Sequence, residues 1–234
     1  MTRRLLLASN STNHDRGYLD HCMGEMLDLL GGRQRLAFVP FALFDRQAYA
    51  VAAGSRFQRE GVEMRAVTAD VRGVECLAWA EAVFVGGGNT FRLLKALGDA
   101  GLLNVIGRRV EEGMVYMGAS AGSNIASPTI RTTNDMPIVE PESFNALGLV
   151  GFQINPHYLD PPLAGTHMGE TRERRLAEYL EENPTPVVGI REGAWIRVEQ
   201  GRAWLGGTRG ARIFRRAASP EERAPGADLS DLLA

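Results

Sequence analysis

Short apolar runs alternate with longer segments of helical periodicity through the first half of the chain. The apolar runs predict strands at residues 5–9, 36–40, 63–67, 82–85 and 114–117. The segments between them predict helices at residues 17–30, 45–60, 89–97 and 102–112. Continuous apolar strands that alternate with helices are typical of a parallel sheet covered on both faces, so the predicted fold class is α/β.

The second half of the chain has a different pattern. The polar, proline-containing segment 131–145 predicts a long loop. Later elements are predicted as strands at 149–155 and 187–190, a charged helix at 169–182, and a hairpin of strands 195–199 and 202–205 around Gln200-Gly201. The tail from about residue 217 is rich in alanine, proline and acidic residues, and we expect it to be loosely held. Because no repeat or linker interrupts the chain, we expect one domain over residues 1–234.

Composition narrows the class of protein. The 234 residues are 44% hydrophobic and 23% charged, as in an ordinary globular protein, and the net charge of −2 argues against general nucleic-acid binding. Two cysteines, Cys22 and Cys76, are too few for a disulfide framework or a cysteine-based zinc site. The chain start lacks the apolar stretch of a signal peptide, and no run approaches the ~20 apolar residues of a membrane span. We therefore expect a cytoplasmic protein with no membrane partner.

Gly118, Ser120 and Gly122 form the pattern G-x-S-x-G directly after the predicted strand 114–117. In a strand–turn–helix context this pattern is typical of a nucleophile elbow, in which small neighbours relieve the crowding of a strained turn. The N–H of Ala121 would then point to where an oxyanion forms. The alternative is a glycine-rich turn that serves only tight packing.

Three glycines, Gly86 to Gly88, follow another predicted strand and precede Asn89 and Thr90, either of which can cap a helix. Such a loop can cradle a phosphate, supply a second N–H to an oxyanion, or simply make a tight turn. The spacing G-x-G-x-x-G is not met, and the chain has no G-x-x-x-x-G-K-[ST] loop. Lys95 is the only lysine.

An imidazole mechanism has four histidines to choose from. His157 follows a predicted strand, at the kind of sheet edge where open α/β folds bind ligands. His14 and His21 flank the first helix, where we expect them at the surface, and His167 has no comparable position. A carboxylate that orients the imidazole could be Glu192, with Asp135 as its rival. On the pattern alone, Glu192 could instead be a solvated turn residue and His157 a structural histidine.

Together these stretches resemble the peptidase E family, the bacterial aspartyl dipeptidases of peptidase family S51, over nearly the whole chain. The matching stretches are VGGGNTF at 85–91, SAG at 120–122, TTNDMPIV at 132–139, NPH at 155–157, GETRE at 169–173, EG at 192–193, and Trp195. The N-terminal segment 6–13 also resembles the family, whereas the last eighteen residues do not.

The resemblance implies a flavodoxin-like sheet, related to class I glutamine amidotransferases, and a serine exopeptidase that cleaves Asp-X dipeptides. It implies Ser120 as nucleophile, His157 as base, Glu192 as orienting acid and a supporting role for Asp135. The amides of Gly88 and Ala121 would form the oxyanion hole. Arg172, with Asn89 and Thr90, would bind the substrate.

The resemblance implies no cofactor and no metal, and it leaves a homo-oligomer open. Two other functions remain as alternatives at this stage. One is a cyanophycinase-like serine hydrolase that cleaves β-aspartyl–arginine links, which would share Ser120 and His157. The other is a non-enzymatic, flavodoxin-like nucleotide-binding module that uses residues 86–90 as a phosphate loop.

Overall fold

A computed structural model describes residues 3–160 and 170–233 of the chain. Its strands are β1 (Leu5–Ala8), β2 (Arg35–Val39), β3 (Glu63–Ala66), β4 (Ala82–Val85), β5 (Val115–Ala119), β6 (Gln153–Asn155), β7 (Val187–Ile190), β8 (Ala194–Glu199), β9 (Arg202–Gly207), β10 (Ala211–Phe214) and β11 (Glu221–Arg223). Its α-helices are α1 (Met23–Leu30), α2 (Arg46–Gln58), α3 (Val71–Trp79), α4 (Thr90–Asp99), α5 (Leu102–Glu111), α6 (Ala121–Asn124) and α7 (Arg172–Glu182), and a 3₁₀ turn covers Ser230–Leu232.

The strands form two sheets. Seven of them make a sheet in the order β3-β2-β4-β5-β1-β8-β9, in which the first five are parallel and β8 and β9 form an antiparallel hairpin at one side. The other four make a sheet in the order β11-β10-β7-β6, with β6 and β7 parallel. The predicted α/β class with a parallel sheet and a later hairpin is therefore confirmed, whereas the division into two sheets was not predicted.

Strands β1 and β4 are apolar and buried at every position because both faces of the large sheet are covered there, whereas the edge strand β3 carries Glu63 and Arg65 and is largely exposed. In β1, Leu5 and Leu7 pack into one buried cluster, while Leu6 and Ala8 pack into another on the opposite face. Helices α3, α4 and α5 contribute to the first cluster, and α1 and α2 to the second. Among the described residues, no helix has the length and apolar character needed to cross a membrane.

Three features differ from the sequence-based expectations. Helix α1 begins at Met23 and not near residue 17, because the preceding residues form turns in which Leu19 has a φ of 62°. Helix α3 and strands β10 and β11 were not predicted. The tail is not loosely held: β11 pairs with β10, and Leu229 and Leu232 are buried in the larger apolar cluster.

Candidate active site

The candidate site lies where several parallel strands end. Ser120 directly follows β5, the glycine loop follows β4, and Ser9 follows β1 in the large sheet. His157 comes two residues after β6 and Glu192 two residues after β7, both in the small sheet. The residues therefore converge from both sheets at the carboxyl ends of the strands, the usual position of ligand sites in α/β folds.

Ser120 occupies a strained turn between β5 and α6. Its φ of 53° and ψ of −111° lie in a region that residues with a side chain rarely adopt. The flanking glycines are needed because a Cβ on Gly118 would lie 2.5 Å from the Gly122 oxygen, and a Cβ on Gly122 would lie 2.1 Å from the Val85 oxygen. The turn therefore places the Ser120 hydroxyl above the sheet edge, and it requires glycine at positions 118 and 122.

Ser120, His157 and Glu192 form a continuous hydrogen-bonded chain. His157 Nε2 lies 2.8 Å from Ser120 Oγ, and His157 Nδ1 lies 2.6 Å from Glu192 Oε1. A proton on Nδ1 can be donated to the carboxylate, which leaves Nε2 as the acceptor for the serine hydroxyl. This arrangement is suited to deprotonating Ser120 as its oxygen attacks an electrophile.

Ser9 holds the imidazole-bearing turn in place. Its hydroxyl accepts a hydrogen bond from the His157 N–H at 2.9 Å and donates to the Ile190 oxygen at 2.8 Å. Its neighbour Asn10 accepts a hydrogen bond from the Gly193 N–H at 2.9 Å, next to Glu192. Sequence reasoning did not single out Ser9 or Asn10, although their place directly after a buried strand was a usable indication.

The glycine loop is pressed against the nucleophile. A Cβ on Gly87 would lie 3.1 Å from the Ser120 Cβ, and Gly88 has a φ of 135° with its would-be Cβ 2.6 Å from the Ala42 oxygen. Among the described residues, neither the Gly88 N–H nor the Ala121 N–H has a backbone or side-chain acceptor. Both amides are therefore available to an oxyanion beside Ser120.

Asp135 lies at the site without touching the imidazole. Its Oδ2 accepts hydrogen bonds from the Thr90 N–H at 2.7 Å, the Thr90 hydroxyl at 2.6 Å and the Thr133 hydroxyl at 3.2 Å. Its other oxygen, Oδ1, accepts none from the described residues. Asn89 caps α4 and also donates to the Met136 oxygen at 2.9 Å. The polar groups of Asn89 and Thr90 therefore bind neighbouring protein groups and fix Asp135.

Arg172 is the first residue of α7 and is half-buried. Burial, and after it the neighbouring Arg175, lowers the pKa of the Arg172 guanidinium, while the negative charge of Asp135 opposes that shift. Arg172 makes no hydrogen bond or ion pair with a described residue. Gly169, in the same sequence motif, lies outside the described residues.

A cavity of about 440 Å³ joins Ser120, His157 and Asp135, whereas Arg172 is not among its lining residues. Its lining residues are Ser11, Leu43, Tyr49, Gly87, Gly88, Ser120, Asp135 and His157. This volume is in the range of small-ligand sites. No three His, Cys, Asp or Glu side chains of the described chain are grouped so as to hold a metal ion.

The structure describes two of the other three histidines, His14 and His21. His14 is exposed, as expected, and pairs with Asp15. His21 was expected at the surface, but both of its ring nitrogens are buried without a hydrogen-bond partner among the described residues. Burial lowers the pKa of His21, an effect that the Asn10 backbone and the charges of Asp20 and Glu192 oppose. His167 lies outside the described residues.

Comparisons with known proteins agree with one another. The sequence model of peptidase family S51 matches residues 5–206. A protein of Streptomyces coelicolor named Peptidase E is 56% identical over 229 residues, which cover 98% of this chain and 94% of the relative. A Drosophila melanogaster protein named "Probable alpha-aspartyl dipeptidase" is 44% identical over 99% of this chain and 98% of its own. The crystal structure of a peptidase from an acI-B1 actinobacterium shares the fold, with a TM-score of 0.73, 17% identity, and coverage of 98% and 97% of the two chains.

Proposed function

The chain belongs to peptidase family S51 and is a serine dipeptidase, and within that class we propose that it cleaves dipeptides with N-terminal aspartate through an acyl-enzyme on Ser120. The observation that carries the proposal is the unbroken contact from Ser120 through His157 to Glu192. The substrate class comes from the names of the relatives, from Asp135 in the cavity, and from the role that the family resemblance gives to Arg172. Family membership argues against the non-enzymatic nucleotide-binding alternative.

In the first half-reaction, the Ser120 oxygen attacks the carbonyl carbon of the aspartyl residue. His157 Nε2 takes the hydroxyl proton, and the imidazolium that forms is stabilised by Glu192 at Nδ1. The carbonyl oxygen becomes an oxyanion, to which the Gly88 and Ala121 N–H groups donate, each contributing ~3 kcal/mol. His157 then gives its proton to the amine of the departing residue X.

In the second half-reaction, water replaces the departed amine. His157 accepts a proton from the water as its oxygen attacks the acyl-enzyme, and the same two amides hold the second oxyanion. His157 returns the proton to Ser120 when the ester bond breaks. Free aspartate leaves, and the site returns to its starting state.

Besides the carbonyl group that Ser120 attacks, an N-terminal aspartate carries a side-chain carboxylate and an ammonium group. Arg172 and Asp135 are suited to bind these two charged groups. The planar guanidinium of Arg172 would bind the side-chain carboxylate, for which arginine is well matched. Asp135 Oδ1 would accept a hydrogen bond from the substrate's ammonium group. That group is two bonds from the carbonyl carbon, so its partner must lie close to Ser120, and Asp135 lines the same cavity. An acceptor for a free ammonium would restrict the enzyme to N-terminal residues.

A substrate panel tests the proposal. Purified protein should hydrolyse Asp-Leu and Asp-p-nitroanilide much faster than Glu-Leu or Asn-Leu, and should not cleave N-acetyl-Asp-Leu. Ser120→Ala should lower kcat by roughly 10⁴-fold or more with the fold intact, because the nucleophile is lost. Robust hydrolysis by that variant would refute the mechanism. Preferential cleavage of β-aspartyl–arginine would instead favour a cyanophycinase-like activity.

We also propose a cytoplasmic location. Cys22 and Cys76 are both free thiols in the described structure. Free cysteines persist in reducing compartments, where disulfides are rare. Fractionation of cells that express the protein would test the location.

A further inference from the structure

Tyr49 borders the cavity but has no role in the reaction described above. It lies in the first turn of α2, is 8% exposed, and lines the cavity beside Gly87, Gly88 and Ser120. Its ring is fixed by edge-on packing against Phe38, with ring centroids 5.0 Å apart. The ring of Tyr49 is therefore held rigidly at the edge of the cavity that contains Ser120.

The hydroxyl of Tyr49 is in close contact with the glycine loop. A Cβ on Gly86 would lie 2.5 Å from the Tyr49 oxygen and 2.7 Å from its ring carbons, so only glycine fits there. On the other side of the loop, the Asn89 N–H donates to the Ala42 oxygen at 3.0 Å. The connection from β2 to α2, which includes Ala42 and precedes Tyr49, therefore holds the loop from two sides.

Away from the glycine loop, the Tyr49 oxygen accepts a hydrogen bond from Tyr18. The Tyr18 hydroxyl lies 3.4 Å away and donates to it. Burial raises the pKa of the Tyr49 phenol, an effect that the neighbouring Tyr18 hydroxyl and Gly87 backbone oppose. Two residues after Gly86, the Gly88 N–H has no acceptor among the described residues.

We propose that Tyr49 is a positioning residue whose hydroxyl packs against the glycine loop at Gly86 and holds the loop so that the Gly88 N–H faces the oxyanion, and that the Tyr18 hydroxyl supports Tyr49. The proposal rests on the proposed acyl-enzyme function, which it extends to the origin of the oxyanion hole's geometry. A donor placed in advance stabilises the oxyanion without reorganisation during the reaction, so the benefit belongs to the transition state and not to substrate binding.

The test uses Tyr49→Phe, which removes one oxygen and keeps the ring, and Tyr18→Phe as the matched variant that removes only the outer hydroxyl. With Asp-p-nitroanilide, Tyr49→Phe should lower kcat about 5- to 10-fold, because the loop loses the oxygen that it packs against and the Gly88 N–H is less well placed, while KM stays within about twofold. The inhibition constant of an aspartyl aldehyde, which forms an oxyanion-bearing adduct with Ser120, should rise by the same factor. Inhibition by free aspartate should not change. Tyr18→Phe should shift kcat in the same direction by less.

An unchanged kcat in Tyr49→Phe would overturn the proposal, and so would equal weakening of the aldehyde and of aspartate, which would indicate a role in substrate binding. If Tyr49→Phe does not fold, an unchanged kcat in Tyr18→Phe would count against it. Failure of the proposed function is distinguishable, because wild-type protein would then cleave no Asp-X substrate. Phosphonylation of Ser120 by a fluorophosphonate, in which the serine oxygen displaces fluoride, would still be slowed about 5-fold in Tyr49→Phe if the loop is fixed as proposed.

Discussion

At the scale of single residues, the two carboxylates of the site have separate environments. Glu192 contacts the imidazole, whereas Asp135 is bound through one oxygen by Thr90 and Thr133. The sequence could place both acids after strands or in a loop near the sheet edge. It could not decide which one meets His157, because that depends on how the segment 131–145 and the small sheet lie against the large one. The residue types of the serine turn, in contrast, could be predicted because G-x-S-x-G after a strand is a recognisable local pattern.

The two acids should respond differently to amide substitution. Glu192→Gln should lower kcat by roughly 10³- to 10⁴-fold on every substrate, because an amide no longer stabilises the imidazolium. Asp135→Asn should lower kcat/KM for Asp-Leu by about 10- to 100-fold and leave succinyl-Leu, the analogue without the ammonium group, nearly unchanged. Steady-state kinetics on both substrates measures this, with Asp70→Asn, at the cap of α3, as the control. Equal losses of Asp135→Asn on both substrates would contradict an ammonium contact.

His21 should make stability depend on pH. Burial lowers its pKa below the ordinary value of 6.5, so below that pH the unfolded chain binds a proton that the folded protein resists. Stability should therefore fall as the pH drops through and below 6.5. Thermal unfolding at pH 7.5 and 5.5 should show a smaller loss of Tm in His21→Gln than in wild type. The control is His14→Gln, at an exposed position, in which the loss of Tm between the two pH values should equal that of wild type. The idea fails if all three proteins lose the same amount.

At the scale of elements, local patterns predicted the strands and helices of the large sheet well. Strands β4 and β7 have the predicted bounds, and α5 differs by one residue. The elements that were missed depend on distant partners. Strand β11 is a three-residue stretch, Glu221–Arg223, that is extended because it pairs with β10, and α3 leaves Val71 and Val74 exposed. A strand as short as β11 carries little apolar periodicity, so the sequence alone does not reveal it, whereas α3 is amphipathic and its pattern was overlooked.

The serine turn should not tolerate added methyl groups. In Gly122→Ala the new Cβ would meet the Val85 oxygen at 2.1 Å, so β4 and α6 would have to separate. We expect a loss of at least about 10²-fold in kcat/KM, since a displacement of 1 Å at a reacting atom can cost that much. The control is Gly107→Ala in α5, where nothing lies within 4 Å and alanine should raise stability by up to about 1 kcal/mol. Near-normal activity in Gly122→Ala would show that the contact can relax.

At the scale of the whole molecule, the site is assembled from two sheets. The nucleophile belongs to the large sheet, and the base and its acid belong to the small one. The α/β class and the family could be predicted from sequence and are confirmed. The second sheet could not be predicted. Its strands are short, and their pairing order, β11-β10-β7-β6, joins segments far apart in the chain.

The tail should contribute to global stability. Leu229 is fully buried, and its N–H donates to the Ala203 oxygen of β9 at 2.8 Å. Leu229→Ala should lower the free energy of unfolding by about 2–5 kcal/mol through the cavity it leaves. Val51→Ala, on an exposed face of α2, should change it by less than about 0.5 kcal/mol. Urea unfolding followed by circular dichroism compares them. Equal stability of the two variants would mean that the tail is held as loosely as its composition suggests.

The bridge formed by Ser9 has a consequence for how the catalytic residues of this enzyme are aligned. One hydroxyl spans the joint between the sheets, linking the backbone at His157 to that at Ile190. Because residues of both sheets share the larger apolar cluster, the packing of the two sheets does not depend on this hydroxyl, whereas the direction of the imidazole toward Ser120 does. Catalytic alignment in this protein is thus set by far fewer contacts than the stability of its fold.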